Sequence, residues 1–205
     1  MKIRLGTRSS ALAQAQSGWV ADRITEVHPG VTIEMVLIET GGDQDQVTPL
    51  HEVGSPGVFT AEVERALARD EVDVAVHSLK DLPIEQPEEL LVAAIPPRED
   101  PLDVWISAKY PGLVDVPAGA VVATGSLRRS AQILHKYPHL QVAGIRGNVE
   151  TRIRVHSERG DAGLVLACAG LKRLGLEDRI RCSISPTEIT PAPGQGALAV
   201  EVRSS

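Results

Sequence analysis

Aromatic residues are scarce in this 205-residue sequence, which contains two Trp, two Tyr and one Phe. A core with so few rings must consist mainly of Val, Ile, Leu and Ala, which suits helices packed on a mostly parallel β-sheet. Hydrophobic residues still make up 42% of the chain, enough for a buried core, and this length corresponds to one or two domains. The composition therefore favours an α/β protein, and we expect two domains.

Cysteines and long apolar runs are also few. Cys168 and Cys182 cannot form a disulfide framework and have no CxxC spacing, so we expect two plain thiols and no metal site. No apolar run reaches the ~18 residues that are needed to cross a bilayer. The first residues lead into a strand-like segment rather than a signal-peptide core, which predicts a cytoplasmic protein with no membrane association.

Positive charge is in deficit overall, since the formal net charge is −6. An acidic chain argues against a nucleic-acid partner, because phosphate neutralisation drives such binding. The charge is uneven, however: residues 1–97 carry 7 basic and 16 acidic side chains, whereas residues 98–205 carry 14 and 11. The local arginine excess suits a small polyanion. No GxxxxGKS/T or GxGxxG motif is present, so a polycarboxylate is favoured over a nucleotide.

The first half of the chain alternates strand and helix patterns. The predicted strands comprise residues 2–7, 31–38 and 72–76. Ser9-Ser10 and Thr60 are the predicted caps of the two intervening helices. Residues 41–57 contain four Gly and two Pro and are predicted to form a long loop that could move over a site. This order of elements indicates an open, doubly wound sheet.

The same alternation restarts at Ala120. The predicted strands comprise residues 121–124, 141–145, 163–167 and 197–202, and the predicted helices residues 127–137 and 149–158. Proline-rich segments at residues 95–101 and 190–196 predict two chain crossings. If the last strand returns to the first domain, the second domain is an insertion on two hinges, and a ligand cleft lies between the lobes.

The predicted fold class is therefore α/β, with two doubly wound open-sheet domains of periplasmic-binding-protein-like type joined by two hinges. We expect domain 1 to comprise residues 1–96 plus 197–205, including the loop as a lid. Domain 2 is expected at residues 101–190. The two hinges are expected at residues 97–100 and 191–196.

Basic residues follow the predicted strands at their carboxyl ends, where doubly wound sheets bind ligands beside helix N-termini. The group comprises Arg8, Lys80, Arg128, Arg129, Arg146, Lys172 and Arg173, with Arg152 about a turn and a half beyond Arg146. Further donors at this edge are Thr124, Gly125, Ser126, Gly147 and Asn148. Because guanidinium groups match carboxylates and phosphates in a bidentate way, we expect a ligand with several such groups.

Asp81 is the acidic exception at this edge. A carboxylate beside Lys80 suits stabilisation of a transient cation or proton transfer, although the charge pattern alone fits an ion pair or a cap equally well. A Schiff base on Lys80 is disfavoured, because the sequence around it lacks the apolar surroundings that would activate an amine. We interpret His77 as a structural histidine and Cys168 as a small buried hydrophobe.

Seven segments of the chain resemble motifs of the hydroxymethylbilane synthase (porphobilinogen deaminase) family, in that family's order. They are RLGTRSSALA at 4–13, VHSLKDLP at 76–83, REDP at 98–101, TGSLRR at 124–129, RGNVETR at 146–152, AGLKRLG at 169–175 and PAPGQGA at 191–197. The resemblance implies a transferase that joins four porphobilinogen units head to tail into hydroxymethylbilane, releasing ammonia from each, in tetrapyrrole and haem biosynthesis. It also implies a covalent dipyrromethane primer seated between the first two domains.

The resemblance further implies roles for individual residues. By motif position, Asp81 is the catalytic carboxylate that holds pyrrole N–H groups and stabilises the cation left when ammonia departs. The residues expected to bind the dipyrromethane cofactor are Lys80, Ser78, Thr124, Ser126, Arg128 and Arg129. Those expected to bind the acetate and propionate groups of incoming porphobilinogen are Arg8, Ser10, Gln16, Arg146, Arg152 and Arg173.

Two features depart from the family pattern. Residues 51–59 lack the lysines that this loop often carries in the family, although Phe59 matches. The sequence stops at Ser205, where the family continues into a third domain, and neither cysteine lies in the primer-attachment motif. We therefore expect the attachment cysteine in that third domain, outside these 205 residues.

Two alternatives to a complete enzyme are open. The chain could be a non-catalytic, two-lobed fragment that binds a small polycarboxylate, or a shortened product of a gene whose full enzyme is normal. Asp81 among arginines favours an enzyme, because a carboxylate weakens anion binding unless catalysis needs it. The expected partner is porphobilinogen, and a monomer is expected.

Overall fold

The structure, a computed structural model, describes residues 1–40 and 60–204. The predicted lid at residues 41–57 and the match at Phe59 lie outside the described residues. Contacts within the described chain divide it into two units, one comprising residues 1–40, 60–98 and 197–204 and the other residues 99–196. Across the described ranges, no helix combines the length and the apolar character that crossing a membrane requires.

Residues 1–40 and 60–204 form ten strands and five helices. The strands are β1 (Lys2–Arg8), β2 (Thr32–Ile38), β3 (Val74–Ser78), β4 (Leu90–Ala94), β5 (Asp103–Ile106), β6 (Val121–Ala123), β7 (Gln141–Ala143), β8 (Gly163–Ala167), β9 (Cys182–Ser183) and β10 (Leu198–Arg203). The helices are α1 (Ala11–Val27), α2 (Ala61–Ala68), α3 (Leu127–Lys136), α4 (Val149–Arg159) and α5 (Cys168–Arg173). Single turns of 3₁₀ helix occur at Leu79–Asp81, Leu113–Asp115 and Glu177–Arg179.

The sheet of the first unit has the strand order β2-β1-β3-β10-β4. β1 runs parallel to β2 and β3, whereas β10 runs antiparallel to β3 and β4. Apolar clusters cover both faces of this sheet. One cluster joins Val20 of α1 to Leu5 and Val76, and the other joins Val63 and Leu67 of α2 to strand residues that include Ala75. The first unit is therefore a doubly wound layer structure.

The sheet of the second unit repeats this arrangement with the order β7-β6-β8-β5-β9. β6 runs parallel to β7 and β8, and β5 runs antiparallel to β8 and β9. One core cluster packs Trp105 and Val165 with Ile133 of α3, and the other packs Leu164 with Ile153 of α4. Since three parallel strands end at one edge of each sheet, both units offer the edge at which such folds bind ligands.

Most of the predicted elements are confirmed, with small shifts at their ends. β1, α1, β2 and β8 lie where the periodicity predicts them, and Ser10 caps α1 by accepting a hydrogen bond from Ala13 N at 3.3 Å. Thr60 is the N-cap residue of α2, as predicted, but its side chain makes no capping hydrogen bond. Two strand boundaries differ by two residues, since β3 begins at Val74 rather than at residue 72 and β7 ends at Ala143 rather than at residue 145.

Three strands escaped prediction altogether, namely β4, β5 and the two-residue β9. β4 lies between proline-containing segments, and β5 begins with Asp103, a charged residue in a fully buried strand. β10, which was predicted, pairs with β3 and β4, so the end of the described chain completes the sheet of the first unit.

Candidate functional site

At the ligand-binding edge of the first unit, two neighbouring parallel strands end side by side. The register pairs Gly6 of β1 with Ala75 of β3, and Arg8 and Ser78 are the last residues of these strands. The fold therefore places the predicted substrate residue Arg8 beside the motif that contains Ser78, Lys80 and Asp81. Arg8 is half-buried there.

Two predicted site residues of this edge bind each other. Gln16, which is buried in the second turn of α1, donates from Nε2 to Ser78 Oγ at 2.9 Å, and Ser78 Oγ lies 3.3 Å from Gln16 Oε1. Ser10 is occupied by its capping bond to α1. In this state, Gln16 and Ser78 link α1 to β3, and Ser10 fixes the start of the helix.

Lys80 and Asp81 lie in the single 3₁₀ turn that follows β3, and both are exposed. The turn is attached to the first unit by its first residue, since Leu79 N donates to Ala197 O at 3.0 Å, just before β10. A carboxylate at this position faces solvent while its backbone is fixed by the sheet. It can therefore meet a ligand without first breaking a buried contact.

The corresponding edge of the second unit begins at the end of β6. Thr124 is buried and its Oγ1 accepts from Ser126 N at 3.2 Å. Ser126 is the N-cap of α3, and its Oγ accepts from Arg129 N at 3.4 Å. The hydroxyl groups of both residues thus shape the N-terminus of α3, where free N–H groups and the helix dipole favour an anion.

Arg152 of α4 lies against this same edge. Its Nε donates to Gly147 O at 2.7 Å, and its Nη1 lies 3.9 Å from the position that a Cβ on Gly125 would take. That Cβ would also be 2.5 Å from Ile145 O, so only glycine lets the β6–α3 turn approach the segment after β7. The two glycines bring the predicted residues Thr124, Ser126 and Arg152 together.

The segment between β7 and α4 carries Arg146, which is half-buried. Asn148 caps α4 by accepting from Thr151 N at 2.8 Å, and Gly147 adopts a φ of 99°, which favours glycine. Arg146 is therefore held on a tight turn between two fixed elements. The motif RGNVETR thus serves one purpose locally, which is to start α4 at the ligand-binding edge.

Arg128 and Arg129 share a buried carboxylate that sequence reasoning missed. Arg128 Nη2 donates to Asp103 Oδ2 at 2.7 Å, and Arg129 Nη2 donates to Asp103 Oδ1 at 2.8 Å. Gln195 Nε2 donates to the same Oδ1 at 2.8 Å. Asp103 and Gln195 are fully buried, and we refer to these four residues as the Asp103 network.

The two arginines of the network differ in their surroundings. The side chain of Arg128 is 26% exposed, whereas that of Arg129 is 7% exposed and also donates to Val165 O at 3.2 Å. Arg128 can therefore meet a ligand at the start of α3, while Arg129 stabilises the protein beneath it. The predicted direct contact of Arg129 with a cofactor stays a prediction, and its burial supports an indirect role.

Hydrogen bonds keep Asp103 ionised in spite of its burial. Burial alone would raise the pKa of Asp103, but the positive charge of Arg129 and the hydrogen bonds from Arg129, Arg128 and Gln195 hold this pKa below its ordinary value. Asp103 offsets one of the two cationic charges, so the start of α3 carries less positive charge than the sequence indicates. The one available sequence clue was an acid within an otherwise apolar run, at residues 102–106.

Arg173 lies on α5, the helix that follows β8. Its Nη2 donates to Gly196 O at 2.7 Å, and burial lowers the pKa of its guanidinium. The neighbouring Lys172 pairs with Glu99 Oε1 at 3.0 Å. In the second unit these two residues of α5 contact the segments that lead into and out of the unit.

The sequence matches a known protein family along almost its whole length. Residues 3–205 match the model described as "Porphobilinogen deaminase, dipyromethane cofactor binding domain". The chain belongs to the porphobilinogen deaminase family. It is 46% identical over 202 residues to the porphobilinogen deaminase of Thiobacillus denitrificans and 45% identical over 201 residues to that of Syntrophotalea carbinolica. Each alignment covers 98% of this chain but 66% and 64% of those proteins, so the chain spans just under two thirds of their length.

Solved structures confirm the predicted fold class. A nutrient binding protein from Burkholderia cenocepacia, bound to methionine, has a TM-score of 0.58 at 15% sequence identity. The match covers 98% of this chain and 85% of the Burkholderia chain. A putative methionine-binding lipoprotein from Bacillus subtilis has a TM-score of 0.56 at 13% identity, covering 100% and 84%. At such low identity these likenesses show only the two-domain, periplasmic-binding-protein-like fold.

The donors at these edges fit the cofactor that the porphobilinogen deaminase family model names. A dipyrromethane with acetate and propionate groups offers several carboxylates and two pyrrole N–H groups. The exposed part of Arg128, the start of α3 and Arg152 supply cationic and N–H donors for carboxylates. On the first unit, Asp81 supplies an acceptor for pyrrole N–H. Each unit, taken by itself, therefore carries groups whose chemistry suits one part of the cofactor.

Proposed function

We propose that this chain forms the catalytic part of a hydroxymethylbilane synthase, which condenses four porphobilinogen molecules into hydroxymethylbilane with release of ammonia. The observation that carries the proposal is the exposed Asp81 on a backbone turn fixed at the end of β3, within a chain that matches the family from residue 3 to residue 205. The family match supports the reaction, and the turn supports the role of Asp81.

In each condensation, the C–N bond of the substrate's aminomethyl group breaks and ammonia leaves with the bonding electrons. A carbon–carbon bond then forms to the growing chain with loss of a proton. We propose that the carboxylate of Asp81 accepts a hydrogen bond from pyrrole N–H and stabilises the positive charge that develops on the substrate. A carboxylate held on a fixed turn needs no rearrangement to do so, which is the condition for effective electrostatic stabilisation.

The cofactor, when bound, supplies the primer to which substrate units are added. We propose that the residues holding its carboxylates are Lys80, Ser78, Thr124, Ser126 and Arg128, with Arg129 acting from beneath through Asp103. Substrate carboxylates would be held by Arg8, Ser10, Gln16, Arg146, Arg152 and Arg173. The contacts of Ser10, Gln16 and Ser126 within the protein support a second duty for these residues, which is to fix α1 and α3.

The experiment compares Asp81→Asn with Asp115→Asn. Asp115 is a matched control, because it is also exposed and also ends a single 3₁₀ turn, at Leu113–Asp115, in the second unit. Each variant of the complete protein is incubated with porphobilinogen, and ammonia release and intact mass are followed. We expect D81N to lose at least ~100-fold in turnover, as for the loss of a group that stabilises transition-state charge, and D115N to keep wild-type turnover.

Three outcomes have distinct meanings. Ammonia release with successive pyrrole mass increments supports the enzyme. Affinity for porphobilinogen without a change of mass supports the alternative of a polycarboxylate-binding fragment. Near-normal turnover by D81N removes Asp81 from the mechanism.

We also propose that the protein acts in the cytoplasm and as a monomer. The support for the location is the small-molecule biosynthesis that the family name implies. Cell fractionation and light scattering of the purified protein test these two points.

A further inference from the structure

A buried pair of ionisable side chains lies directly behind the Asp81 turn. His77 Nε2, on β3, is 3.2 Å from Glu201 Oε2, on β10, and their side chains are 3% and 0% exposed. Within residues 1–40 and 60–204, neither oxygen of Glu201 accepts a hydrogen bond, and the imidazole of His77, which forms an ion pair with Glu201 when it is protonated, is the charge partner that the structure gives this carboxylate. Because a buried carboxylate without compensation is costly, Glu201 depends on the imidazole beside it.

Glu64 of α2 is the third ionisable group on this face of the sheet. It is half-buried and interacts electrostatically with both Glu201 and His77. Burial raises the pKa of Glu64, the nearby charge of Glu201 adds to the increase, and a hydrogen bond with Thr60 opposes it. The charge balance of this cluster therefore depends on a single imidazole, since His77 alone of the three can carry positive charge.

A second contact attaches the opposite face of β3, at the residue next to His77. Successive side chains of a strand point to opposite faces, so Ser78 faces α1 where His77 faces α2. Ser78 bonds Gln16 of α1, and His77 contacts Glu201 of β10. The register pairs Ser78 with Leu198 and His77 with Ala199, so both contacts involve the last paired residues of β3 before the turn.

Burial of this pair is not explained by stability alone. A buried ion pair costs desolvation that its attraction barely offsets, and well-packed apolar residues in its place are often as stabilising or more so. The cluster of Val63, Leu67 and Ala75 shows that apolar packing is available on this face of the sheet. The polar pair thus stands where the chain enters the one turn that carries Asp81.

We propose that His77 and Glu201 are positioning residues for Asp81: their contact fixes the end of β3 against β10 and thereby fixes the turn Leu79–Asp81. The inference rests on the proposed function, since it presumes that Asp81 acts on the substrate. Both residues are buried, so they act through the turn and do not touch the substrate themselves.

The test measures hydrogen exchange at Leu79 N, whose bond to Ala197 O reports the attachment of the turn. In Glu201→Gln of the complete protein, we expect this amide to exchange at least ~10-fold faster, while amides of β8 in the second unit keep their wild-type rates. With porphobilinogen, kcat should fall at least ~10-fold and KM should stay within ~2-fold. Glu34→Gln, which removes an exposed ion pair with Lys2 in the same sheet, is the control and should change neither quantity.

A double variant separates positioning from stability. H77L/E201M removes both members of the buried pair and with them the repulsion between Glu201 and Glu64, so it should unfold within a few degrees of the wild type. It also keeps the measurement possible if E201Q does not fold. We expect its Leu79 exchange to remain fast and its kcat to remain low. Recovery of kcat together with the unfolding temperature would overturn the proposal, because the pair would then serve stability alone.

Two further results would also overturn it. One is wild-type exchange at Leu79 in E201Q, and the other is an equal acceleration of all amides in the sheet of the first unit. A wild-type protein that does not turn over porphobilinogen refutes the proposed function instead. The exchange comparison needs no substrate and still decides whether the pair fixes the turn.

Discussion

Replacing Asp103 by Asn is the sharpest perturbation that the structure offers, because one buried carboxylate accepts hydrogen bonds from two arginines. The substitution keeps the shape of the side chain but removes the charge that Arg128 and Arg129 share. Arg129 would remain buried, with Val165 O as its other acceptor. We expect D103N to destabilise the second unit and to leave the first unit nearly unchanged.

The magnitude follows from the burial of the two arginines. Breaking a buried ion pair by removing one partner costs about 3–5 kcal/mol, because the remaining charge is uncompensated. The Arg129 pair falls in this class, whereas the Arg128 pair is partly screened by solvent and adds less than ~1 kcal/mol. For a unit of about 100 residues, 1 kcal/mol shifts the midpoint temperature of unfolding by roughly 4–8 °C. The midpoint of the second unit should therefore fall by roughly 12 °C or more in D103N.

The assay is thermal unfolding followed by tryptophan fluorescence. Trp105 is fully buried in the second unit and Trp19 belongs to the first, so a Trp19→Phe background restricts the fluorescence change to the second unit. Glu99→Gln is the matched control, because the side chains of the Lys172–Glu99 pair are 37% and 39% exposed and the pair should contribute at most ~1 kcal/mol. A loss in D103N no larger than that in E99Q would refute the reasoning.

The difference in stability between the wild type and D103N should depend on pH. Because the pKa of folded Asp103 lies below its ordinary value of 3.8, its contribution is complete above that value and is lost as the pH falls through the lower, folded pKa. The difference between the wild type and D103N should therefore be constant near neutral pH and shrink below about pH 3.8. A difference that grows on acidification would contradict this.

Three further predictions concern single side chains. Gly125→Ala places a Cβ 2.5 Å from Ile145 O and should cost about 1–3 kcal/mol in a urea titration, whereas Gly18→Ala, with open space within α1, should stabilise by about 0.5–1 kcal/mol. Glu64→Gln should raise the unfolding temperature at pH 8 and lose this advantage by pH 4. The reason is that burial raises the pKa of Glu64, so that burial destabilises the protein only when Glu64 is charged. An advantage retained at pH 4 would argue against this reasoning. Burial raises the pKa of the Cys168 thiol to about 11, so mass spectrometry should detect iodoacetamide labelling at pH 8 only after unfolding, and rapid native labelling would contradict its burial.

Local patterns account for what the sequence could predict. The β1–α1–β2 unit follows from a capped helical periodicity between two β-branched runs, and each of these signals lies within a few neighbouring residues. The arginines at strand ends are predictable for the same reason, because the order of strand and helix alone assigns each of them to the carboxyl-end edge of its own sheet. Residue-level roles at this edge came from the family motifs rather than from periodicity.

Partners distant in sequence account for what the sequence could not predict. Asp103 lies 25 and 26 positions from Arg128 and Arg129 and 92 from Gln195, so no window of local sequence contains the network. The contact of His77 with Glu201 joins residues on either side of the whole second unit. β5 was missed because its first residue, Asp103, is charged. Burial of Asp103 is favourable only when the guanidinium groups of Arg128 and Arg129, which are distant in sequence, bind it.

The position of β10 between β3 and β4 has a consequence for how the chain reaches its native state. The centre of the first sheet lacks a strand until residues 198–203 have left the ribosome, whereas every described segment of the second unit has by then been synthesised. We therefore expect the second unit to fold first during translation, and the first to wait, with the facing edges of β3 and β4 open, for closure by a strand made more than 100 residues later.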